Sequence, residues 1–280
     1  MTRNGALLAL HVAVLLFGFS GLFGKWLALP ALAIVLGRTA VAAGALAALR
    51  VARDRPAPAF DPRLIGNGVL LALHWFAFFE AIQVANVAIG MLGYASFPLF
   101  VLVLERLLVG RRWARREAAT AALVTAGLLL LVPEFSLANR LVHGLAWGLL
   151  SGFTFALLAV ANRRWAAGRP ATDIAFWQNL WAALALAPVA WAADAVPALG
   201  AREIALLVVL GLVCTAFAHT LFFAALGRVS ANTASVVAAL EPVYGIALAF
   251  ALIGEVPDAR TLVGGALIVG AAAVATRGTG

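Results

Sequence analysis

Apolar residues occur in ten long runs along the chain, and short joints that carry glycine, proline or charge separate these runs. The runs cover residues 5–24, 30–49, 64–83, 86–108, 117–133, 141–161, 172–192, 203–224, 230–253 and 259–276. A helix needs about 20 consecutive apolar residues to cross the core of a bilayer, and each run has close to this length. The pattern therefore predicts an all-α integral membrane protein with ten transmembrane helices.

Composition supports this class and excludes a soluble domain. Apolar residues make up 64% of the chain and charged residues 11%, and the mean hydropathy is +1.02. Soluble domains have roughly 45–50% apolar and about 25% charged residues. The formal net charge is +8, but the basic residues lie in the joints between apolar runs, so we expect no nucleic-acid partner.

The basic residues are divided unequally between the two sets of joints. If the N-terminus is cytoplasmic, the inner segments hold Arg3, Arg50, Arg53, Arg55, Arg63, Arg106, Arg111, Arg112, Arg115, Arg116, Arg163, Arg164, Arg169, Arg228 and Arg277. The outer segments then hold only Lys25, Arg140, Arg202 and Arg260. Because Lys and Arg concentrate in cytoplasmic loops, we expect a multi-pass protein of the bacterial-type inner (plasma) membrane with both termini cytoplasmic.

A shift of 144 residues aligns the two halves of the chain without a gap. The shift places Phe78-Phe79 on Phe222-Phe223, Ala81 on Ala225, Pro98 on Pro242, Leu104 on Leu248 and Gly110 on Gly254. Five spans in each half would give the halves opposite orientations, as in many secondary transporters with a midplane site. We therefore expect two inverted five-helix repeats, 1–138 and 139–280, within one compact transmembrane domain.

The segment LEPVYGIALAFALIGE, residues 240–255, places a carboxylate and a proline inside the ninth span. An acid at this depth is costly, and a proline breaks or kinks a helix. Irregular backbone at membrane depth is tolerated where helices line a cavity or are covered by protein. Glu241, Pro242 and the paired Pro98 are therefore candidates for a gate or for coupling. The alternative is a packing kink whose carboxylate is satisfied by a neighbouring helix.

Aromatic and polar residues near the membrane centre are candidates for substrate binding. One helical turn separates His74 from Phe78 in the third span, so the two share a face, and an intramembrane ionisable group favours function. The candidate set is His74, Trp75, Phe78, Tyr94, Ser96, Trp177 and Gln178. The alternatives are a histidine bonded to one backbone carbonyl and, in the seventh span, polar contacts between helices.

Two further ionisable residues lie inside predicted spans and are candidates for a gate or for coupling. Arg38 lies in the second span, where it could pair with a carboxylate or extend its charge to the outer surface. His219 lies toward the inner end of the eighth span and could serve a gate.

Two matching segments carry a resemblance to a known family. FPLFVLVLERLLVGR and EPVYGIALAFALIGE each place a glycine twelve residues after the proline, and TLVGGALIVGAAAVATR closes the chain. Together with the ten spans in two halves, they resemble the repeated module of the drug/metabolite transporter superfamily, EamA type. The chain is most similar to the aromatic amino-acid exporter branch, although the first half lacks the acid before its proline. The resemblance implies export of small metabolites, amino acids among them, by alternating access.

The expected function is therefore that of a secondary exporter of small amphiphilic metabolites, foremost amino acids with aromatic or apolar side chains. The expected partners are a small-molecule substrate and the lipid bilayer, with no obligate protein partner. The chain has no HExxH pattern, cysteine cluster or Walker A motif, so we expect no enzyme activity, metal, cofactor or direct use of ATP. The alternatives are an intramembrane enzyme on lipid-linked substrates and a passive channel or lipid scramblase.

Overall fold

The structure is a computed structural model that describes residues 2–54, 56, 59–109, 115–131, 136, 138–165, 168–226, 228–229 and 231–276. Every regular element in these ranges is a helix, so the prediction of an all-helical protein is confirmed. Five residues used in the sequence arguments lie outside the described residues: Arg55, Gly110, Arg111, Arg112 and Arg277.

Fourteen helices follow one another in the described ranges. The first half contains α1 (Arg3–Ser20), α2 (Phe23–Trp26), α3 (Ala31–Val51), α4 (Arg63–Val84), α5 (Val87–Tyr94), α6 (Phe97–Val109) and α7 (Arg115–Leu131). The second half contains α8 (Arg140–Trp165), α9 (Ala171–Ala192), α10 (Ala201–Gly211), α11 (Ala218–Leu226), α12 (Ala231–Ala238), α13 (Glu241–Ile253) and α14 (Ala259–Thr276). A π-helical segment, Leu212–Phe217, joins α10 to α11.

Eight helical stretches within the described residues are long and apolar enough to cross a membrane. They are Asn4–Trp26, Ala31–Val51, Arg63–Val84, Val87–Leu108, Arg140–Asn162, Ala171–Ala192, Ala201–Leu226 and Val236–Ile253. Two shorter apolar helices, Glu117–Leu131 and Ala259–Ala271, occupy the positions of the fifth and tenth predicted spans. The chain is therefore a multi-pass membrane protein, and the count of ten spans stays a prediction.

The fourth and ninth predicted spans are each broken into two helices. α5 ends at Tyr94 and α6 begins at Phe97, while α12 ends at Ala238 and α13 begins at Glu241. A shift of 144 residues carries all four boundaries of the first pair onto those of the second. In both pairs proline is the second residue of the later helix, where the first turn tolerates its missing N–H.

Helix α4 occupies the middle of the bundle and packs against α3, α5, α8 and α9. The side of the bundle where the chain passes from α2 to α3 is called the outer end. The opposite side, where the chain passes from α3 to α4, is called the inner end. The largest cluster of buried apolar side chains includes Leu22, Phe23, Ile34, Phe79 and Ile82. These five lie toward the outer end, so this cluster extends from the middle of the bundle to its outer end.

Glycines permit close approach at two helix contacts. A Cβ atom added to Gly18 of α1 would lie 2.8 Å from the nitrogen of Gly245 in α13. A Cβ on Gly127 of α7 would lie 2.7 Å from the oxygen of Gly264 in α14. Small residues allow such backbone contacts, which are a common way for membrane helices to associate.

Two arginines of the predicted inner set form ion pairs at the inner end. Arg50, in the last turn of α3, pairs with Asp173 in the first turn of α9. Arg169, just before α9, donates to Asp61 with an N–O distance of 2.6 Å. The first pair connects the end of α3 to the start of α9. The second pair connects the joint between α3 and α4 to the residue just before α9.

The charge asymmetry predicts which of these joints face the cytoplasm. We expect a cysteine at the exposed Ala138 to react with a membrane-impermeant maleimide on intact cells. A cysteine at the exposed Ala59 should react only after permeabilisation. The native Cys214 is fully buried, so the unmutated chain serves as the low-background control. Labelling with the opposite sidedness would contradict the orientation.

Candidate binding cavity

A cavity of about 700 Å³ lies inside the bundle. Its aromatic lining consists of Phe17, Trp75, Phe78, Tyr94, Phe97, Phe155, Phe222 and Phe223. Its polar lining consists of Ser20, Arg38, His74, Asn162, Gln178, His219 and Glu241. The lining also includes Leu226, which ends α11 at the inner end and is exposed. The cavity therefore extends from the membrane centre toward the inner end.

The outer end is closed by polar contacts in addition to the apolar cluster. Gly254 adopts a left-handed conformation (φ 67°) after α13, which turns the chain toward the start of α5. The two carboxylate oxygens of Glu255 accept hydrogen bonds from the backbone N–H groups of Val87 and Ala88, each at 3.1 Å. A helix N-terminus favours a negative charge at this position. Glu255 thereby connects the end of α13 to the beginning of α5.

The two helix breaks place backbone carbonyls beside the cavity. In a continuous helix, residue 98 would donate its N–H to the carbonyl of Tyr94, and residue 242 would donate to Ala238. Pro98 and Pro242 have no N–H, so neither bond can form. Tyr94 and Ala238 both line the cavity. The breaks therefore lie at the depth of the cavity, where irregular backbone is tolerated.

His74 is held in place by α8 and surrounded by rings. Its Nδ1 atom lies 3.0 Å from the carbonyl oxygen and 2.9 Å from the hydroxyl oxygen of Ser151. Because a carbonyl can only accept, Nδ1 carries the proton and Nε2 is left as an acceptor. The rings of Phe155, Tyr94 and Phe78 lie 5.0, 5.2 and 6.4 Å from the imidazole. These rings form an aromatic site around one neutral polar group.

Arg38 is oriented by the π-helical segment and by a tryptophan. Its Nε atom donates to the hydroxyl of Thr215 at 3.1 Å, and that hydroxyl donates to the carbonyl of Leu210 at 2.8 Å. π-Helical turns are frequent at functional sites. The guanidinium carbon lies 3.8 Å from the centre of the Trp75 ring and 5.6 Å from that of Phe79. The buried guanidinium therefore has a defined orientation.

These contacts offset the cost of burying Arg38 without the help of an ion pair. Desolvation of an ion costs several kcal/mol, whereas a desolvated cation–π contact contributes about 2 kcal/mol and a charged hydrogen bond about 1.5–3 kcal/mol. Arg38 forms no ion pair with a described residue, and its Nη1 atom is buried without a hydrogen-bond partner there. The side chain is 1% exposed, so it does not extend to the outer surface.

Glu241 is the first residue of α13 and lines the same cavity as Arg38. The hydroxyl of Tyr94 donates to a carboxylate oxygen of Glu241 at 3.4 Å, which connects the two broken spans. The positive end of α13 also favours a carboxylate at its first residue. Both effects stabilise Glu241 where water is scarce.

Side-chain amides form a chain near the inner end of the cavity. The Oδ1 atom of Asn162 accepts hydrogen bonds from Asn67 at 2.7 Å and from Gln178 at 2.6 Å. Asn162 and Gln178 both line the cavity. Asn179 donates to the carbonyl of Ala175 at 2.8 Å within its own helix.

Eight of the twelve predicted site residues line the cavity: Arg38, His74, Trp75, Phe78, Tyr94, Gln178, His219 and Glu241. His219 follows the π-helical segment, and its ring lies 5.2 Å from those of Trp75 and Phe17. The structure thus brings together side chains from α1, α3, α4, α5, α9, α11 and α13.

The other four predicted residues, Ser96, Trp177, Pro98 and Pro242, are not among the lining residues. The hydroxyl of Ser96 donates to the carbonyl of Gly93 at 2.6 Å and so stabilises the break after α5. The Trp177 ring stacks on Trp181 at 6.1 Å and meets Phe60 at 5.6 Å. The two prolines contribute by removing the N–H groups that would continue each helix across its break.

Sequence reasoning missed several residues that shape the site, among them Phe155, Asn162 and Thr215. Phe155 and Asn162 belong to α8, which has no ionisable residue near its centre to draw attention. Thr215 lies in the π-helical segment, for which the residue pattern offers no signal. The helix α8 is adjacent to α4 only in the folded protein.

Known proteins with similar sequences are transporters. Residues 4–132 and 142–277 each match the profile of the EamA-like transporter family. The chain is 31% identical over 208 residues to the pseudopaline exporter CntI of Pseudomonas aeruginosa, covering 74% of this chain and 72% of that protein. An uncharacterized transporter of Archaeoglobus fulgidus is 26% identical over 221 residues, covering 78% of this chain and 77% of that protein. The transporter YwfM of Bacillus subtilis, also uncharacterized, is 25% identical over 209 residues, covering 74% and 71%.

The fold is similar to that of a solved crystal structure. The similarity covers 99% of this chain and 98% of the other, with a TM-score of 0.68 and 24% sequence identity. The family profile covers nearly the whole chain in two parts, and the relatives are transporters rather than enzymes. The chain therefore belongs to the EamA-like transporter family.

Proposed function

We propose that this protein is a secondary exporter of small amphiphilic metabolites, foremost amino acids with aromatic or apolar side chains, and that it works by alternating access. The observation that carries the proposal is the ring-lined cavity with its few polar groups. Its volume lies within the range of roughly 300–1,000 Å³ that is usual for small-molecule sites. A relative whose name describes it as an exporter supports the direction of transport.

The polar groups of the cavity favour an amphiphilic substrate over a purely apolar one. Arg38 and Glu241 supply opposite charges, and His74 supplies a neutral acceptor among three aromatic side chains. Rings stack on apolar and aromatic groups, while a buried arginine suits the carboxylate group of an amino acid. This combination supports a likeness to the aromatic amino-acid exporter branch.

The shape of the cavity argues against a passive pathway. A channel or lipid scramblase needs a continuous polar path, but here the apolar cluster and the contacts of Glu255 close the outer end. We infer that the structure represents an inward-facing state in the inner membrane. The common 144-residue offset of the broken helices supports an inverted relation between residues 1–138 and 139–280.

Purified protein in liposomes tests the proposal directly. We expect saturable uptake of radiolabelled amino acids, fastest for phenylalanine, tryptophan or leucine, and no flux in empty liposomes. A fluorescent-lipid assay on the same vesicles should detect no lipid mixing between leaflets. Lipid scrambling, or the absence of flux for the whole amino-acid panel, would contradict the proposed function.

Filling the cavity should block transport. Ala159 lines the cavity on α8, and we expect Ala159→Phe to reduce flux about tenfold or more, because about 1.4 kcal/mol of lost fit is a factor of ten. Ala224→Phe is the matched control, since Ala224 is exposed on α11. Flux and membrane expression are measured for both variants. Equal flux in the two variants would mean that substrate does not occupy this cavity.

Removing single groups from the aromatic site should weaken binding. We expect His74→Ala, Trp75→Ala and Tyr94→Ala each to lower flux roughly tenfold or more at normal expression, because stacking and a hydrogen bond contribute about 1–3 kcal/mol. Trp191→Ala is the control, since Trp191 is 89% exposed. Wild-type flux in all three variants would show that these residues only pack the core.

Neutralising Glu241 should separate binding from transport. Glu241→Gln keeps the shape of the side chain and its contact with Tyr94 but removes the charge. We therefore expect substrate binding, measured by calorimetry, to persist while flux is lost. Asp194→Asn, at an exposed position, is the control for removing a carboxylate. Full flux in Glu241→Gln would rule out a gate or coupling role.

A further inference from the structure

We propose that Arg38 is the anion-binding residue of the cavity and holds the carboxylate group of the substrate. The proposal rests on the proposed function in one respect, namely that a substrate occupies this cavity. It adds the chemical group that the substrate must carry and the side chain that recognises it.

The first argument is that Arg38 forms no ion pair within the described residues, although the carboxylate of Glu241 lines the same cavity. Two other arginines of this protein, Arg50 and Arg169, are only partly buried, and each forms an ion pair with an aspartate. Arg38 is more deeply buried than either, yet its one hydrogen bond goes to the neutral hydroxyl of Thr215. A buried charge is normally paired. The partner that the protein does not supply is therefore expected from a ligand.

The second argument is the geometry of the guanidinium. Thr215 occupies Nε, and the Trp75 ring covers one face at 3.8 Å. Nη1 is buried without a partner among the described residues. A guanidinium presents its donors as a planar fork that matches the two oxygens of a carboxylate. Thr215 and Trp75 thus fix the orientation of the guanidinium group and leave N–H donors such as those of Nη1 for a ligand.

The third argument concerns the charge and the remaining surface of the cavity. Arg38 is the one Lys or Arg among the lining residues that the structure describes. A single positive charge matches a carboxylate monoanion better than a phosphate dianion, which would need further cationic donors. The rings around His74 are then available for the apolar part of the same molecule. The expected ligand is a monocarboxylate with an aromatic or apolar group.

Binding to the purified protein tests the carboxylate requirement without relying on transport. The probes are L-phenylalanine, 3-phenylpropionate and L-phenylalaninamide, measured by calorimetry in detergent micelles. We expect both carboxylates to bind the wild-type protein at least about tenfold more tightly than the amide. The reason is that the neutral amide group cannot form the charge-assisted hydrogen bond that a carboxylate forms with Arg38. 3-Phenylpropionate isolates the carboxylate because it lacks the amino group.

Variants assign this preference to Arg38. Arg38→Gln should lose the preference for the acids over the amide, and Arg38→Lys should keep a reduced preference because it retains the charge without the fork. Arg202→Gln removes a positive charge at an exposed side chain and should retain the wild-type preference. Size-exclusion profiles and melting temperatures report whether each variant is folded. If Arg38→Gln does not fold, the acid–amide comparison in the wild-type and Arg38→Lys proteins decides.

Three results would overturn the proposal: equal affinity of the wild-type protein for acid and amide, no binding of either acid, or an undiminished acid preference in folded Arg38→Gln. Its failure is distinguishable from that of the proposed function. Carboxylate binding without amino-acid flux would contradict the export of amino acids but support the role of Arg38. Amino-acid flux that is unchanged in Arg38→Gln would leave the exporter standing and refute the carboxylate site.

Discussion

Backbone N–H and C=O groups in the core of a bilayer have no water to pair with, and this constraint determines where the chain can leave its helical path. The fourth and ninth spans both do so, after Tyr94 and after Ala238. At both places the last residue before the break, Tyr94 or Ala238, lines the cavity. The hydroxyl of Ser96 satisfies a further carbonyl, that of Gly93. The breaks and the cavity therefore depend on each other: the cavity tolerates the breaks, and the breaks direct polar groups toward it.

The same constraint separates the charges into two kinds. Arg50 and Arg169 lie at the inner end, where aspartates pair with them and water is near. Arg38 and Glu241 lie deep in the bundle and rely on rings, single hydroxyls and a helix terminus. Such partial compensation is typical of intramembrane groups that act on a substrate or an ion. In the cavity, the positive charge of Arg38 and the negative charge of Glu241 both have only weak partners within the protein.

The two ends of the bundle differ because different interactions close them. At the outer end, opening must separate the carboxylate of Glu255 from two backbone N–H groups, each charged bond contributing about 1.5–3 kcal/mol. It must also expose apolar side chains such as Leu22 and Phe23. At the inner end the cavity already reaches the exposed Leu226. Glu255 belongs to the second half alone, so the polar contact that closes the outer end has no counterpart among the described residues of the first half.

Local chemistry allowed the sequence by itself to determine the membrane class, the helical fold, the two breaks and eight of the residues that line the cavity. Apolar runs define spans, a proline removes a specific backbone bond, and His74, Tyr94 and Glu241 are conspicuous because polar groups are costly at depth. Only the tertiary structure decided that Phe155, Asn162 and Thr215 belong to the site, that Trp177 packs against Phe60, and that Arg38 stays buried. The reason is that periodicity relates residues to the face of their own helix. Which face meets the cavity depends on how the helices pack against one another, and no single segment contains that information.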